Sequence, residues 1–385
     1  MTTGRRETTD GALPAVLAGL LAMAAGMGVG RFVYTPILPA MMREAGLSAA
    51  DAGFVASANF LGYLVGALAA AALARQAARP TALFLALAAS AATSAAMALG
   101  ETRAVFAALR FASGLASAFV FYAATTLSLE ALMRRGRLDL QTVHFSGVGL
   151  GVAASALFTA AVFATGGDWR MAWLASGAIT ALALVAVVAL APRDASEAIA
   201  APPAPAASRS VAPIVLAYAL VGYGYVITAT FLVAIMRETA GPREETLAWL
   251  VVGLSAALSL SPWSALARRV GAGRAFALAC LAEAAGVAAS VLAPGLAGAL
   301  VAAALLGGTF MALTALGLAV ARRAVGGDGR RIVATMTAAF GAGQVIGPAV
   351  AGLMREATGD YVLASLTAAA GLVVAAALAL AGERG

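Results

Sequence analysis

From Gly11 to Gly30 the chain carries no charged side chain, and the same holds for 111–129, 140–167, 171–192 and 284–321. About 20 apolar residues in an α-helix cross the hydrocarbon core of a bilayer, where only helices and closed barrels satisfy their own backbone. Runs of this length, repeated from one end of the chain to the other, point to a bundle of membrane-spanning helices. Composition agrees: 62% of the 385 residues are hydrophobic and 11% are charged, against about 25% charged in a soluble domain.

Apolar runs between charged or Gly/Pro-containing breaks predict twelve helices: 15–42, 51–74, 81–99, 103–132, 140–165, 169–191, 212–236, 246–266, 274–293, 295–321, 330–355 and 360–381. The Pro/Ala/Ser-rich stretch 192–210 reads as an extended, poorly ordered linker. It divides the chain into a six-helix bundle over 1–191 and another over 211–385. The first apolar segment is too long for a signal-peptide core and is expected to stay as the first helix.

The net charge is +7 and all 25 basic residues are arginine. They fall in short connections rather than on one basic face, which argues against a nucleic-acid partner and makes them topology signals. Seventeen lie on one side of the twelve segments, six on the other, and Arg31 and Arg110 within helices. The richer side is expected to be cytoplasmic, with both termini and the linker there. Cys280 is the lone cysteine, so no intrachain disulfide can form, and it reads as a small packing residue.

The halves repeat. Gly28 aligns with Gly222, Met42–Arg43–Glu44 with Met236–Arg237–Glu238, Gly114 with Gly308, and Gly147–Gly149 with Gly341–Gly343, all at an offset of 194. An even number of spans per repeat makes the two copies parallel. Such repeats occur in secondary transporters, with the substrate site near the midplane between them.

With twelve spans, a central linker and this repeat, the chain resembles the major facilitator superfamily over nearly its full length. Within it, GMGVGRFVYTPILPAMM (26–42), LSAADAGFVASANFLGYLVGAL (47–68) and HFSGVGLGVAASALF (144–158) are similar to the YbfB/YjiJ branch of transporters. The resemblance implies an all-α fold of two six-helix bundles working by alternating access. It also matches RFASG to the superfamily's helix-four motif, which implicates Arg110 in proton coupling. The superfamily's loop motif between helices two and three is reduced to Arg75 and Arg79, with no acid. The Gly-Pro pair of its helix-five antiporter motif stands instead in helix eleven, as Gly347–Pro348.

Arg31 is the residue that most needs an explanation. Its repeat partner, Tyr225, is mid-span, so Arg31 lies deep, where an arginine costs at least ~3 kcal/mol unless a cavity or partner receives it. Snorkelling to the surface is the plain alternative. We expect Arg31 to bind an anionic group of the substrate, with Tyr34 one turn away. Arg110, at a similar depth, Asn59, Tyr225 and Gln344 complete the expected substrate-binding set. Asp51, His144 and Glu283 join Arg110 as candidates for proton coupling; of the 18 acids only Glu283 is clearly mid-span. Asp51 also suits a helix N-cap, and His144 a helix end at the membrane interface. Gly147 with Gly151, and Gly343 with Gly347, are spaced for close helix packing rather than for phosphate binding.

These features predict a monomeric secondary transporter of the inner (plasma) membrane. It would move a small, possibly anionic organic solute, coupled to H+, between helices 1, 2, 4 and 5 and helices 7, 8, 10 and 11. No metal site or cofactor is expected. A proton-antiport exporter of drugs or metabolites is the alternative within transporters. A transporter-like membrane sensor is the alternative outside them, although the linker is too short for an output domain. A membrane enzyme would need a convergent catalytic set that one histidine and one mid-span acid do not supply.

Overall fold

The computed structural model describes residues 12–191, 204–208, 210–239, 241–293, 295–327 and 329–384. Its spans are Ala12–Glu44, Ala49–Ala72, Pro80–Met97, Arg103–Arg134, Leu138–Ala164, Trp169–Leu190, Ala212–Arg237, a bent pair, Ala272–Leu292, Gly295–Ala324, Arg331–Thr358 and Val362–Gly382. The bent pair, Arg243–Leu258 and Leu260–Val270, turns by 49° and forms the eighth span. Pro262 accounts for the bend, because it offers no N–H to the carbonyl of Leu258 four residues earlier. Each of the twelve expected segments therefore has its counterpart.

Side chains close several of the turns. Ser48 and Asp51 form a reciprocal capping box at the start of the second span. Thr102 accepts from Val105 N to start the fourth, and Asp168 from Met171 N to start the sixth. Gly136, at φ 63°, supplies the left-handed residue that ends the fourth span.

Packing repeats between the halves. The first span lies on the fifth, the second on the fourth and the third on the sixth, as the seventh lies on the eleventh, the eighth on the tenth and the ninth on the twelfth. Backbones come this close because glycines line the seams. A side chain at Gly62 or Gly114 would collide with the carbonyls of Phe111 or Asn59, between the second and fourth spans. Gly147 and Gly151 face Leu20 and Ala24 of the first span. Gly343 and Gly347 face Ala219, Tyr223 and Val226 of the seventh. All four thus pack helices within a half.

The halves meet along two related seams, the second span on the eleventh and the fifth on the eighth. Gly53 and Gly352 abut the carbonyls of Pro348 and Ala49 in one seam, and Gly149 and Gly253 abut Ala257 and Ala153 in the other. Trp249 Nε1 donates to Ser155 Oγ across the second seam at 3.0 Å. Of the linker, Ala204–Ser208 is extended and pairs antiparallel with Val325–Gly327, between the tenth and eleventh spans. Residues 192–203 and 209 of the expected linker lie outside the described residues.

Candidate functional site

The first span is not one helix. It runs α-helical over Ala12–Met23, π-helical over Ala24–Val29, turns at 30–33, and resumes at Tyr34–Glu44. Pro36 imposes the break, since it cannot donate to the carbonyl of Phe32 four residues back, whereas Pro39 is carried inside the resumed helix. The displaced donors adjust: Gly30 N reaches Ala25 O at 2.7 Å, and Thr35 N turns to Phe32 O at 3.2 Å. The carbonyl of Arg31, which an intact helix would pair with Thr35 N, is thereby released.

Arg110 of the fourth span answers that break. Its Nη2 donates to Arg31 O at 2.6 Å and its Nη1 to Gly30 O at 3.0 Å, while Ser113 Oγ also donates to Gly30 O at 3.1 Å. Asn59 of the second span donates through Nδ2 to Arg110 O at 2.8 Å. The guanidinium lies 5.4 Å from the Tyr34 ring and 5.6 Å from that of Trp173, and the residue is 2% exposed. Arg110 therefore spends its donors on backbone carbonyls, and its Nε has no partner.

Arg31 is held differently. Its guanidinium carbon stands 3.8 Å from the centre of the Tyr63 ring, 4.9 Å from Phe60 and 5.4 Å from Phe32. Aromatic faces attract a cation, yet they accept few of its hydrogens, and Arg31 Nε and Nη2 are buried with no hydrogen-bond partner. Among the described residues neither Arg31 nor Arg110 enters an ion pair, whereas Arg43, Arg103, Arg134, Arg137 and Arg237 do.

Both arginines line one cavity with Phe32, Tyr34, Thr35, Asn59 and Phe60 of the first half and Ala229 and Thr230 of the seventh span. At about 10 Å³ it has room for about one water. Thr35 Oγ1 closes it by donating to Ala229 O at 2.7 Å. These two residues are themselves 194 apart, so the first and seventh spans cross at equivalent points of the repeat. Tyr34 OH donates to Ala52 O at 3.0 Å.

Beyond Arg31 an aromatic layer crosses to the second half. Phe310 meets Phe32 edge-on at 5.9 Å, and Tyr225 is stacked between Phe310 at 5.8 Å and Phe340 at 5.6 Å. Gln344 Nε2 donates to the Tyr225 hydroxyl, and its Oε1 has no partner.

The other candidates lie elsewhere. Asp51 caps the second span and pairs with Arg103 at 2.9 Å, at the end of the bundle that holds Glu44. His144 is fully buried against Gly19 and Ser128, with Nε2 3.4 Å from Thr125 Oγ1. Glu283 is fully buried in the ninth span against Thr309. Sequence reasoning missed the aromatic residues around Arg31. Phe60 and Tyr63, three residues apart beside Asn59, and Phe340, four residues before Gln344, were the available signals.

A family model for the uncharacterised MFS-type transporter YbfB matches residues 23–380. The gallate transporter of Pseudomonas putida is 30% identical over 141 residues, which is 37% of this chain and 31% of that protein. The chain thus matches about a third of that relative's length. Among solved structures, the fold resembles the nucleoside transporter NupG, with a TM-score of 0.70 and 16% identity over 97% of this chain and 99% of that one. It also resembles a bacterial homologue of the human lysosomal transporter Spinster in an inward-facing, unoccupied form. There the TM-score is 0.73 and the identity 15%, over 98% and 97% of the two chains. These relatives are transporters, not enzymes, and the chain belongs to the YbfB family of the major facilitator superfamily.

Proposed function

We propose that this transporter carries a small organic anion with a planar or aromatic body, coupled to protons, by alternating access in the inner membrane. The observation that carries the reading is Arg31: a buried guanidinium stacked in an aromatic box, with unused donors and no protein carboxylate. A carboxylate on the substrate would accept those donors, and a flat ring would pack among Phe32, Phe60, Tyr63 and the Tyr225 stack. Gallate, an aromatic carboxylate, is of this class, and it is the substrate that the partial relative's name gives. Asn59 Oδ1 and Gln344 Oε1, both lacking partners, can accept from hydroxyls on such a solute.

The size of the site supports alternating access. A cavity of about 10 Å³ admits no organic anion, so loading requires the halves to part along the 2–11 and 5–8 seams, whose glycines make the contacts smooth. The arginine asymmetry supports cytoplasmic termini. The test is uptake and counterflow by the purified protein in liposomes, with benzoate-type carboxylates, aliphatic carboxylates, nucleosides and cationic drugs, each with and without a pH gradient. Accumulation of aromatic carboxylates that collapses with the gradient is expected. Flux confined to cations or nucleosides would refute the reading.

A further inference from the structure

We propose that Glu283 is the site at which the coupled proton rides, and that it reports its state to the substrate cavity through Thr309 and Phe310 of the tenth span. The proposal rests on the proton coupling proposed above and adds the carrier and the route.

The argument begins with hydrogen bookkeeping. Glu283 is fully buried, its Oε2 meets Thr309 Oγ1, and its Oε1 has no partner. Thr309 Oγ1 also lies 2.6 Å from Leu305 O. A threonine has one hydroxyl hydrogen, and a backbone carbonyl can only accept. If that hydrogen goes to Leu305 O, the hydrogen between Thr309 and Glu283 must come from the carboxyl group. A neutral Glu283 thus satisfies both contacts. An ionised one would place a full negative charge in the apolar interior with at most the single Thr309 hydrogen to receive it, a cost that a neutral carboxyl group does not carry.

Among the described residues Glu283 enters no ion pair. The tenth span has no charged residue before Arg322, the twelfth none between Val362 and Gly382, and the seventh none between Ala212 and Met236. Arg268, Arg269 and Arg274 stand at or before the start of the ninth span, at least nine residues away along the chain. The titratable groups within electrostatic reach are Cys280 on its own helix and Tyr225 on the seventh span. Tyr218 and Tyr223 direct their hydroxyls to Thr314 and Thr367.

The connection to the cavity is short. Thr309 adjoins Phe310, which stacks on Tyr225 and meets Phe32, the neighbour of Arg31. When Glu283 releases its proton to water admitted as the halves part, its O–H bond breaks as the water's new O–H bond forms, and the carboxylate left behind draws the Thr309 hydrogen away from Leu305 O. That rearranges bonding in the turn that carries Phe310. Substrate charge at Arg31 and proton occupancy at Glu283 thereby act on one aromatic contact from two sides.

The test combines infrared spectroscopy with transport. The wild-type protein at neutral pH should show a carboxylic-acid C=O band that shifts in D2O and is missing from Glu283→Gln. In liposomes Glu283→Gln, which mimics the protonated acid, should keep counterflow of the aromatic carboxylate within about threefold and lose accumulation driven by the pH gradient. Absence of the band from the wild type overturns the proposal whatever the variant does. So does gradient-driven accumulation by Glu283→Gln, or its loss of counterflow, which would mark Glu283 as structural only. A wild type that moves none of the carboxylates sinks the substrate reading instead, and the infrared arm, which needs no substrate, still decides the protonation of Glu283.

Discussion

Replacing Arg31 by methionine separates a ligand-binding arginine from a structural one, because the two roles move stability and affinity differently. In the empty protein the guanidinium is held by three ring contacts, at 3.8, 4.9 and 5.4 Å. Desolvated cation–π contacts contribute up to about 2 kcal/mol each, less at the longer distances, so roughly 3 kcal/mol is a fair total. Against this stands a burial cost of at least about 3 kcal/mol for an arginine at depth. The terms nearly cancel. Arg31→Met keeps the length of the side chain and removes both, so the unloaded carrier should melt within a few degrees of the wild type.

Substrate binding has no such cancellation. A charge-assisted hydrogen bond contributes about 1.5–3 kcal/mol, so the variant should bind an aromatic carboxylate about ten- to 150-fold more weakly. Arg31→Lys should fall between, since a lysine keeps the charge and loses the planar stack and fork. Calorimetric titration in detergent measures affinity, and the concentration dependence of counterflow in liposomes checks it. Arg31→Met with affinity retained within threefold, or with a large loss of thermal stability, would refute the assignment.

Arg110→Met should be the more damaging substitution by about 1–3 kcal/mol in melting experiments, because relief of a buried charge is common to both variants and only this one strips the carbonyl of Arg31 of its donor, while Ser113 still serves Gly30 O. Gly53→Val would press a branched side chain on the Pro348 carbonyl. Overpacking by about 1–3 kcal/mol should shift the population toward parted seams by roughly five- to 150-fold. A Thr230→Cys probe would report this as faster maleimide labelling, and an unchanged rate would count against the seam as a gate. Tyr225→Phe should weaken substrate binding about fivefold at most, by the loss of one hydrogen bond worth about 1 kcal/mol. Tyr225→Ala also removes two stacked contacts and should weaken it far more; equal effects would exclude the stack from recognition.

The fold was legible because it rests on period and length. Uncharged runs of bilayer thickness, breaks at charges and prolines, and one offset repeated along the chain suffice to place twelve helices in two copies. The depth of Arg31 was legible for the same reason, since the repeat sets it level with Tyr225. What Arg31 and Arg110 do at that depth was not, because it depends on which donors meet which acceptors after the chain has bent. Pro36 announces a kink in the first span; that the freed carbonyls would be claimed by Arg110, some 80 residues on, follows only from the packing of the second and fourth spans. The aromatic box is another product of assembly, as Phe32 comes from the broken turn of the first span and Phe60 and Tyr63 from the second.

The duplication explains how such a site arises. Where the first and seventh spans cross, at Thr35 and Ala229, the two copies touch through equivalent residues, so anything near that point is presented twice, once from each half. Two arginines there would repel and double the burial cost; an arginine opposite a tyrosine gives instead a cation beside a ring that can receive the body of the ligand. The first half supplies the charge, through Arg31, with Arg110 bracing the helix break that exposes it. The second half supplies the stacked rings and, one layer behind them, the buried carboxyl group of Glu283. On the proposed reading, divergence of the two copies at a few positions of a repeated seam turns a symmetric bundle into one with a binding side and a protonatable side.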